Sequence, residues 1–168
     1  MTFAQFLADF LNTGLHWTII GLFSCMTLGG IGSAIGLNIA GTQAAGALSE
    51  KPELFGRLFV LVALPATQGL YGFVLAFLGM QLTGFSEGAA ISLGRGIALC
   101  GSFILIGLVL LYSAIYQGRA SAGAINLTVK QPEKSGGALL LPALVETYAL
   151  LAFVAGFLLL TFIQKSAF

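Results

Sequence analysis

The chain has 168 residues, of which 58% are hydrophobic and only 8% are charged. Ordinary soluble domains carry about a quarter charged residues, so this composition excludes a soluble protein and predicts one embedded in a membrane. The net charge is only +1 and every Lys and Arg lies at a predicted helix end, which excludes a basic surface for nucleic acid.

Charged residues divide the chain into four apolar stretches, each longer than the roughly 20 residues that a helix needs to span a bilayer. They are residues 10–49, 58–86, 96–118 and, with Glu146 as its one charge, 135–164. The first stretch exceeds one span, so its helix either projects beyond the membrane or follows a short interfacial piece at residues 1–10. No positively charged leader precedes it, and we expect this first segment to stay in the protein.

Two short polar breaks carry nearly the same signature, SEKPE at 49–53 and KQPEK at 130–134. A proline with flanking charges ends one helix and starts the next. Aligning Pro52 with Pro132 also aligns SAI at 33–35 with SAI at 113–115. The chain is therefore predicted to be a duplicated helical hairpin, an all-α membrane protein with four transmembrane helices.

Beyond the breaks the register of the repeat shifts slightly, and LPATQGLYG from Leu64 then matches LPALVETYA from Leu141. We expect a first hairpin at residues 1–85 and a second hairpin at 86–168. In this register Gly69 of the first hairpin occupies the position that Glu146 has in the second. The four helices should therefore share one carboxylate at membrane depth.

Positive charge predicts the orientation, because cytoplasmic loops carry an excess of Lys and Arg. The opposite side holds only Arg95 and Lys165. The two breaks and the helix ends beside them hold the other five, Lys51, Arg57, Arg119, Lys130 and Lys134. Both breaks should lie in the cytoplasm, with the termini and the 82–95 connection outside.

Small residues are concentrated in the first and third predicted helices, as GGIGSAIG at 29–36 and as a Gly- and Ala-rich run at 118–124. Small residues permit close backbone approach between transmembrane helices. These two helices should form the crowded inner pair. The glycines lack the strand and the spacing of a nucleotide-binding loop, so no nucleotide site is expected in this chain.

Glu146 is the only charged residue between Lys134 and Lys165. An acid near the middle of a membrane helix costs about 2.5 to 3.5 kcal/mol on insertion scales, so it usually binds or relays an ion. We therefore interpret Glu146 as the functional centre of the chain.

Further oxygen atoms are predicted to lie near this carboxylate. Leu64, Thr67, Gln68 and Tyr71 are spaced to share one face of the second helix. Pro65 removes a backbone donor there, which frees carbonyls near residues 61–64 as acceptors. The third helix adds the amide of Gln117.

This set offers one negative charge and several neutral oxygens, which suits one monovalent cation. A proton carrier would need only one or two hydrogen-bond partners for its carboxyl, so the surplus of oxygens favours Na⁺ over H⁺. In the plainer alternative, the amides and the hydroxyl only join helices through hydrogen bonds of about 0.6 kcal/mol each. Na⁺ and Li⁺ cannot be told apart, since both accept oxygen ligands.

LPATQGLYGFVLAFL, the paired breaks, SAIYQGRASAG and LPALVETYALLAFVAGFLLL together resemble the proteolipid subunit of V-type ATPases, most closely the bacterial sodium type. The resemblance extends from about Gly29 to Leu160. It implies a four-helix protomer of a homo-oligomeric rotor ring in the bacterial plasma membrane. It also implies Glu146 as the essential ion carrier, with the other ligands at Gln117, Thr67, Gln68 and the Leu64 carbonyl, and with Tyr71 holding the carboxylate.

The resemblance further implies partners for the ring. A stator membrane subunit would supply two half-channels and an arginine, a central stalk would join the ring to a soluble ATPase, and lipids would surround it. The chain would be a non-catalytic subunit that moves Na⁺ and holds no organic cofactor. Two alternatives stay open, the same rotor carrying H⁺ and a passive channel or structural proteolipid.

Overall fold

The computed structural model describes residues 2–84 and 90–165, and these ranges are almost entirely helical. The helices in chain order are α1 (Phe3–Asn12), α2 (Gly14–Glu50), α3 (Phe55–Ala63), α4 (Thr67–Leu82), α5 (Leu93–Lys130), α6 (Ser135–Ala138) and α7 (Leu140–Lys165). Turns of 3₁₀ helix at Pro52–Leu54, Leu64–Ala66 and Pro132–Lys134 connect them within each hairpin. The all-α prediction is confirmed. The predicted boundary between residues 85 and 86 lies outside the described residues.

Within residues 2–84 and 90–165, four segments are long and apolar enough to cross a membrane, as predicted. They are Gly14–Glu50, Pro52–Leu82, Leu93–Lys130 and Pro132–Ile163. The first and third are single long helices, whereas the second and fourth are each interrupted once near a proline. The first hairpin thus consists of α2–α4 preceded by α1, and the second of α5–α7.

The N-terminal piece is a separate helix, as in one of the two possibilities for the long first stretch, while α2 alone, with 37 residues, still exceeds the roughly 20 that span a bilayer. Thr13 adopts an extended conformation that ends α1 before α2 begins. The Trp17 indole of α2 donates a hydrogen bond to the Leu11 carbonyl at 3.0 Å and so ties the two helices together. Exposed apolar residues on α1, such as Phe3 and Phe6, are typical of a helix that lies at a membrane surface.

The two breaks have the same backbone geometry, which supports the predicted duplication. Lys51 and Gln131, which immediately precede the two aligned prolines, have φ and ψ of −134° and 71° and of −138° and 76°. The amide of Lys51 donates to the Ala47 carbonyl at 3.0 Å, and that of Gln131 donates to the Leu127 carbonyl at 2.8 Å. Each long helix therefore ends in the same way before its proline.

The predicted close packing of the first and third spans is confirmed within the chain, since α2 and α5 pack backbone against backbone, while their position on the inner side of a ring stays a prediction. A Cβ atom added to Gly32 would lie 2.7 Å from the Cα of Leu111, and one added to Gly118 would lie 2.5 Å from the Cα of Gly36. Real Cβ atoms do not come this close to backbone, so glycine is required at both positions. Helix α4 packs against α2, and α7 packs against α5.

The outer faces of α4 and α7 are apolar and exposed. Leu70 and Phe73 on α4 are 60% and 54% exposed, and Leu151 and Phe162 on α7 are 67% and 68% exposed. Contiguous apolar surface of this kind marks contact with lipid or with other protein. The inner and outer helices thus differ in both residue size and surroundings.

Candidate ion-binding site

The 3₁₀ turn at Leu64–Ala66 gathers oxygen atoms midway along the second span. Pro65 has no N–H to donate, and the helix tightens at this point. The Leu64 carbonyl accepts the backbone N–H of Thr67 and also lies 3.1 Å from the Thr67 hydroxyl. That hydroxyl lies 3.3 Å from Oε1 of Gln68. Three oxygens from residues spaced within about one helical turn therefore lie close together on one side of the helix.

Glu146 lies near the middle of the fourth span and is partly buried. The Tyr71 hydroxyl donates a hydrogen bond to its Oε1 at 2.9 Å, and Nε2 of Gln117 donates to its Oε2 at 3.2 Å. These donors come from α4 and α5, so the carboxylate of α7 joins three helices. Both donors are neutral, so neither would balance the negative charge of an ionised carboxylate here.

The amides of Gln68 and Gln117 form the centre of this network and are completely buried. Nε2 of Gln68 donates to Oε1 of Gln117 at 2.5 Å and lies 3.4 Å from the Ser113 hydroxyl. Nε2 of Gln117 also lies 3.2 Å from the Pro142 carbonyl. A buried amide that loses such partners costs about 1–3 kcal/mol. Substitution of either glutamine would therefore leave a buried polar group of the other without this partner.

One side of the Glu146 carboxyl group opens toward the outer surface of α7. A shallow groove of about 200 Å³ lies there and is lined by Ala143, Glu146, Thr147 and Leu150. On the opposite side, the Tyr71 ring packs against Phe153, with ring centroids 5.2 Å apart. The Glu146 carboxylate is thus accessible from the outer side of α7, while the Tyr71 and Phe153 side chains cover its other side.

The structure brings together all six residues predicted for the site. Glu146 contacts Tyr71 and Gln117 directly, Gln117 contacts Gln68, and Thr67 links Gln68 to the Leu64 carbonyl. This juxtaposition agrees with the sequence interpretation, while the ion-binding role of these residues stays a prediction.

Two participants were missed by sequence reasoning. The Ser113 hydroxyl lies between Gln68 and the Val145 carbonyl, at 3.4 Å and 3.2 Å. The second is the Pro142 carbonyl, which accepts from Gln117. Ser113 belongs to the SAI motif that also occurs at 33–35, so the repeat contained a signal for it.

The donor set has the chemistry of a small monovalent cation site. One carboxylate supplies a single formal charge, and the Leu64 carbonyl, the Thr67 hydroxyl and the amide oxygens of Gln68 and Gln117 supply neutral ligands. Hard cations prefer such oxygen ligands. Because a flip of an amide group exchanges its oxygen and nitrogen in the same space, Gln117 can either donate to the carboxylate or present its oxygen beside it.

Comparisons with known proteins agree with the duplicated architecture. The family model for the C subunit of ATP synthase matches the chain twice, at residues 20–79 and 100–159. The chain is 38% identical over 148 residues to the V-type sodium ATPase subunit K of Enterococcus hirae, covering 88% of this chain and 92% of that protein. It is 33% identical over 147 residues to the A-type ATP synthase subunit K of Methanocaldococcus jannaschii, covering 87% of this chain and 62% of that protein.

Proposed function

The chain belongs to the family of ATP synthase C subunits as a proteolipid of the V- and A-type ATPases, and on this premise we propose that it carries Na⁺ on Glu146 through the membrane as a rotor subunit. One observation carries the proposal. The carboxylate of α7 is held by neutral groups from α4 and α5, beside the oxygens of Leu64, Thr67 and Gln68.

The charge of the site favours a monovalent cation as the transported substrate. An isolated ionised carboxylate is very costly to place in an apolar medium, and a bound Na⁺ cancels its charge. A divalent cation would leave a net positive charge, and the sequence has no acid between Arg57 and Glu87 or between Arg95 and Arg119 that could offset it. The relative from Enterococcus hirae, by its name a sodium ATPase subunit, supports the same cation.

Cation binding requires a rearrangement of the hydrogen bonds of Gln117. Its amino group also donates to the Pro142 carbonyl and its oxygen accepts from Gln68, so these two bonds change together with the bond to Glu146. The amino group of Gln117, which donates to Glu146 at 3.2 Å, has to turn away so that its carbonyl oxygen faces the cation. Tyr71 can keep its hydrogen bond to the other carboxylate oxygen while this happens. The ligands would then be a Glu146 oxygen, the Gln117, Gln68 and Thr67 side-chain oxygens and the Leu64 carbonyl.

H⁺ is the second candidate, and the hydrogen bonds around Glu146 support it. A protonated carboxyl needs only one or two partners, which Tyr71 and Gln117 already provide. The Leu64 and Thr67 oxygens would then only stabilise the local helix turn through their hydrogen bond. The family assignment favours either rotor over a passive channel or structural proteolipid.

The ion-occupied and the empty Glu146 tolerate different surroundings. A neutralised Glu146 can face lipid through the groove on the outer side of α7, whereas the bare anion needs a cationic or aqueous surrounding. In a homo-oligomeric ring this difference would couple ion exchange to rotation. A stator subunit with two half-channels and an arginine would exchange the ion, and central stalk subunits would bind the ring.

The charge distribution supports one orientation of the ring. The breaks at Pro52–Leu54 and Pro132–Lys134, with the basic residues beside them, would face the cytoplasm and the stalk in a bacterial plasma membrane. The termini and the connection after α4 would face outside. Residues 85–89 of that connection lie outside the described residues.

Equilibrium binding of ²²Na⁺ to the purified ring tests the proposal. We expect saturable binding of one Na⁺ per chain, lost in Glu146→Gln. Glu133→Gln is the matched control, because Glu133 is an exposed acid in the break and should leave binding unchanged. Failure of the wild-type ring to bind Na⁺ would overturn the sodium proposal and favour H⁺.

A further inference from the structure

Helix α1 carries an apolar face that the proposed function does not use. Its apolar residues recur at the i, i+3, i+4, i+7 and i+8 spacing of an amphipathic helix and are Phe3, Phe6, Leu7, Phe10 and Leu11. Phe3 is 76% exposed and Leu11 is 50% exposed. Among the described residues, α1 packs mainly against α2. The described part of the chain therefore leaves most of this face uncovered.

Two side chains of α2 fix the place where α1 is attached. The Trp17 indole donates to the Leu11 carbonyl at 3.0 Å, and the His16 ring stacks on Phe10 with ring centroids 4.3 Å apart. Nδ1 of His16 also lies 3.2 Å from the Phe10 carbonyl. The last turn of α1 is thus held against the N-terminal end of α2.

The bond from Trp17 is made on the side of α2 that faces away from α4. Leu22 and Met26 of α2 lie against glycines of α4. They are five and nine positions after Trp17, which places them about 140° and 180° around the helix axis from it. Helix α7 packs against α4 and so belongs to the same layer. In the predicted ring, with α2 and α5 innermost, the side that holds α1 faces the centre of the ring.

This inner side is apolar along the membrane span. A groove of about 450 Å³ between α2 and α5 is lined by Ile20, Phe23, Ser24, Thr27, Leu28 and Ile104. Ile20 and Ser24 lie three and seven positions after Trp17 and share its helical face. Ile35 continues this face and is 40% exposed. Because such a wall is unfavourable in contact with water, the space that a closed ring encloses at this depth would be filled with lipid.

From these placements we propose that α1 lies across the outer end of the ring's centre, with its apolar face on the lipid that the ring encloses. Amphipathic helices bind in the plane of a membrane, with their apolar side at the boundary of headgroups and acyl chains. The inference rests on the proposed rotor ring and adds a lipid-binding surface to it. Glu146 lies at the outer layer of helices, so the ion site and this surface would contact separate pools of lipid.

The composition of α1 and its surroundings agrees with this position. Trp17, which holds α1, is of a residue type that is enriched where a membrane meets water. The helix has no Lys or Arg, so its apolar side chains rather than attraction to anionic headgroups would bind the lipid. In the second hairpin Ile97 stands at the position of Trp17 and offers no indole donor. Each copy would therefore hold one such helix, on its first hairpin.

Photocrosslinking with isotopically distinct lipids tests this placement. The full-length ring is purified with its native lipid and transferred to nanodiscs of deuterated phosphatidylglycerol. This exchange replaces the surrounding lipid, whereas enclosed lipid stays with the ring. We replace Phe6 with p-benzoylphenylalanine, irradiate, and identify the adduct by mass spectrometry. The adduct should carry native, undeuterated lipid.

Three control positions calibrate this readout. Phe77 is 49% exposed on the outer face of α4 and should capture deuterated lipid. Ile35 on the inner face should capture native lipid. Ala8 is exposed on the polar side of α1, which also carries Gln5 and Asn12, and should give no lipid adduct. Deuterated lipid at Ile35 would contradict the presence of a separate enclosed lipid and, with it, the proposal.

Other adducts at position 6 separate the remaining possibilities. Deuterated lipid there would place α1 on the surrounding membrane, and an adduct on protein alone would place it against a neighbouring copy. Either result overturns the proposed position of α1 and leaves the rotor intact. A wild-type protein that forms no ring would instead contradict the proposed function itself.

Trp17→Phe tests the attachment of α1 in a ring that should still assemble. The substitution keeps an aromatic side chain and removes the hydrogen bond to the Leu11 carbonyl. The share of native lipid in the adduct at position 6 should fall at least about threefold, as for the loss of one hydrogen bond. Ile97→Ala changes the equivalent position of α5 and should leave this share unchanged. An equal share in Trp17→Phe and wild type would contradict the attachment through Trp17.

Discussion

The two hairpins share one backbone plan but contribute different halves of the site. In the first hairpin the motif that begins at Leu64 keeps the hydroxyl of Thr67 and the amide of Gln68 and has Gly69 at the acid position. In the second hairpin the equivalent motif has Leu144 and Val145 in place of that hydroxyl and amide, and Glu146 carries the charge. Neither hairpin holds a complete site, and the complete one forms only where α4, α5 and α7 meet.

The reason for this division lies in the space around each acid position. A Cβ atom on Gly69 would lie 3.2 Å from the Ser33 hydroxyl oxygen and 3.5 Å from the Cα of Gly30, so this position is filled by α2. The Gly69 N–H also donates to the Ser33 hydroxyl at 2.8 Å. Glu146 instead faces two donors and an open groove. The same fold position thus serves helix packing in one hairpin and, in the proposed function, ion binding in the other.

Glu146→Gln should remove the charge that distinguishes the second hairpin from the first and has the largest expected effect. The substitution preserves shape and deletes the charge, so ATP-driven ²²Na⁺ uptake by the reconstituted ATPase should fall to background. The ring should still assemble, which native mass spectrometry checks. Assembled variant rings that pump Na⁺ at the wild-type rate would contradict the assignment of the carrier.

Gly69→Glu would place an acid in the first hairpin as well, but without the ligands that surround Glu146. Leu37 stands where the second hairpin has Gln117, and the space beside Gly69 is tight. The new acid should therefore cost about 3 kcal/mol of stability, the insertion cost of an unpaired membrane charge. Ring stability in a detergent titration measures this, with Gly69→Ala as the control for size alone. A stable ring that binds two Na⁺ per chain would contradict the division of the site between the two hairpins.

Gln117→Ala removes the one amide that links the acid of the second hairpin to the amide of the first. It deletes a neutral ligand and leaves the buried Gln68 amide short of its partner at 2.5 Å. We expect Na⁺ affinity to fall about tenfold or more, as for loss of a buried hydrogen bond to a charged group. Isothermal titration calorimetry of the assembled ring measures it. Unchanged affinity would show that Gln117 only joins helices.

Tyr71→Phe should have the smallest effect and offers the closest control within the chain. It removes one hydrogen bond of 2.9 Å to Glu146, so Na⁺ affinity should fall about fivefold, equivalent to about 1 kcal/mol. Tyr148 is the equivalent tyrosine of the second hairpin and is 67% exposed. Tyr148→Phe should leave Na⁺ affinity unchanged. Equal effects of the two substitutions would mean that the hairpins are not divided in this way.

Much of the fold could be predicted from the sequence because charges in a membrane protein are confined to helix ends. The four spans, the duplicated breaks and the inner position of α2 and α5 followed from charge gaps, prolines and glycines. Helix interruptions were less predictable. Pro65 lies inside the 3₁₀ turn, whereas Pro142 is tolerated within the first turn of α7 and the interruption precedes it at Leu139.

Which residues lie together at the candidate site could also be predicted. Polar side chains are rare at membrane depth, and Leu64, Thr67, Gln68 and Tyr71 share one helical face. The pairing of Gln68 with Gln117 and the part played by Ser113 could not, because they depend on how α4 and α5 approach each other. Nor did helical periodicity place Tyr112, Tyr116 and Tyr148. Their exposure follows from the arrangement of the two hairpins, which only the tertiary structure shows.

The most direct test of the Na⁺ assignment is carbodiimide labelling of the purified ring across a pH series, with and without Na⁺. Carbodiimides react with protonated carboxyl groups, and mass spectrometry locates the adduct. We expect labelling at Glu146 that Na⁺ suppresses, because the cation displaces the proton from the same carboxylate. Labelling at Glu146 that is indifferent to Na⁺ would contradict the sodium site, and absence of any adduct at Glu146 would contradict its role as the ion carrier.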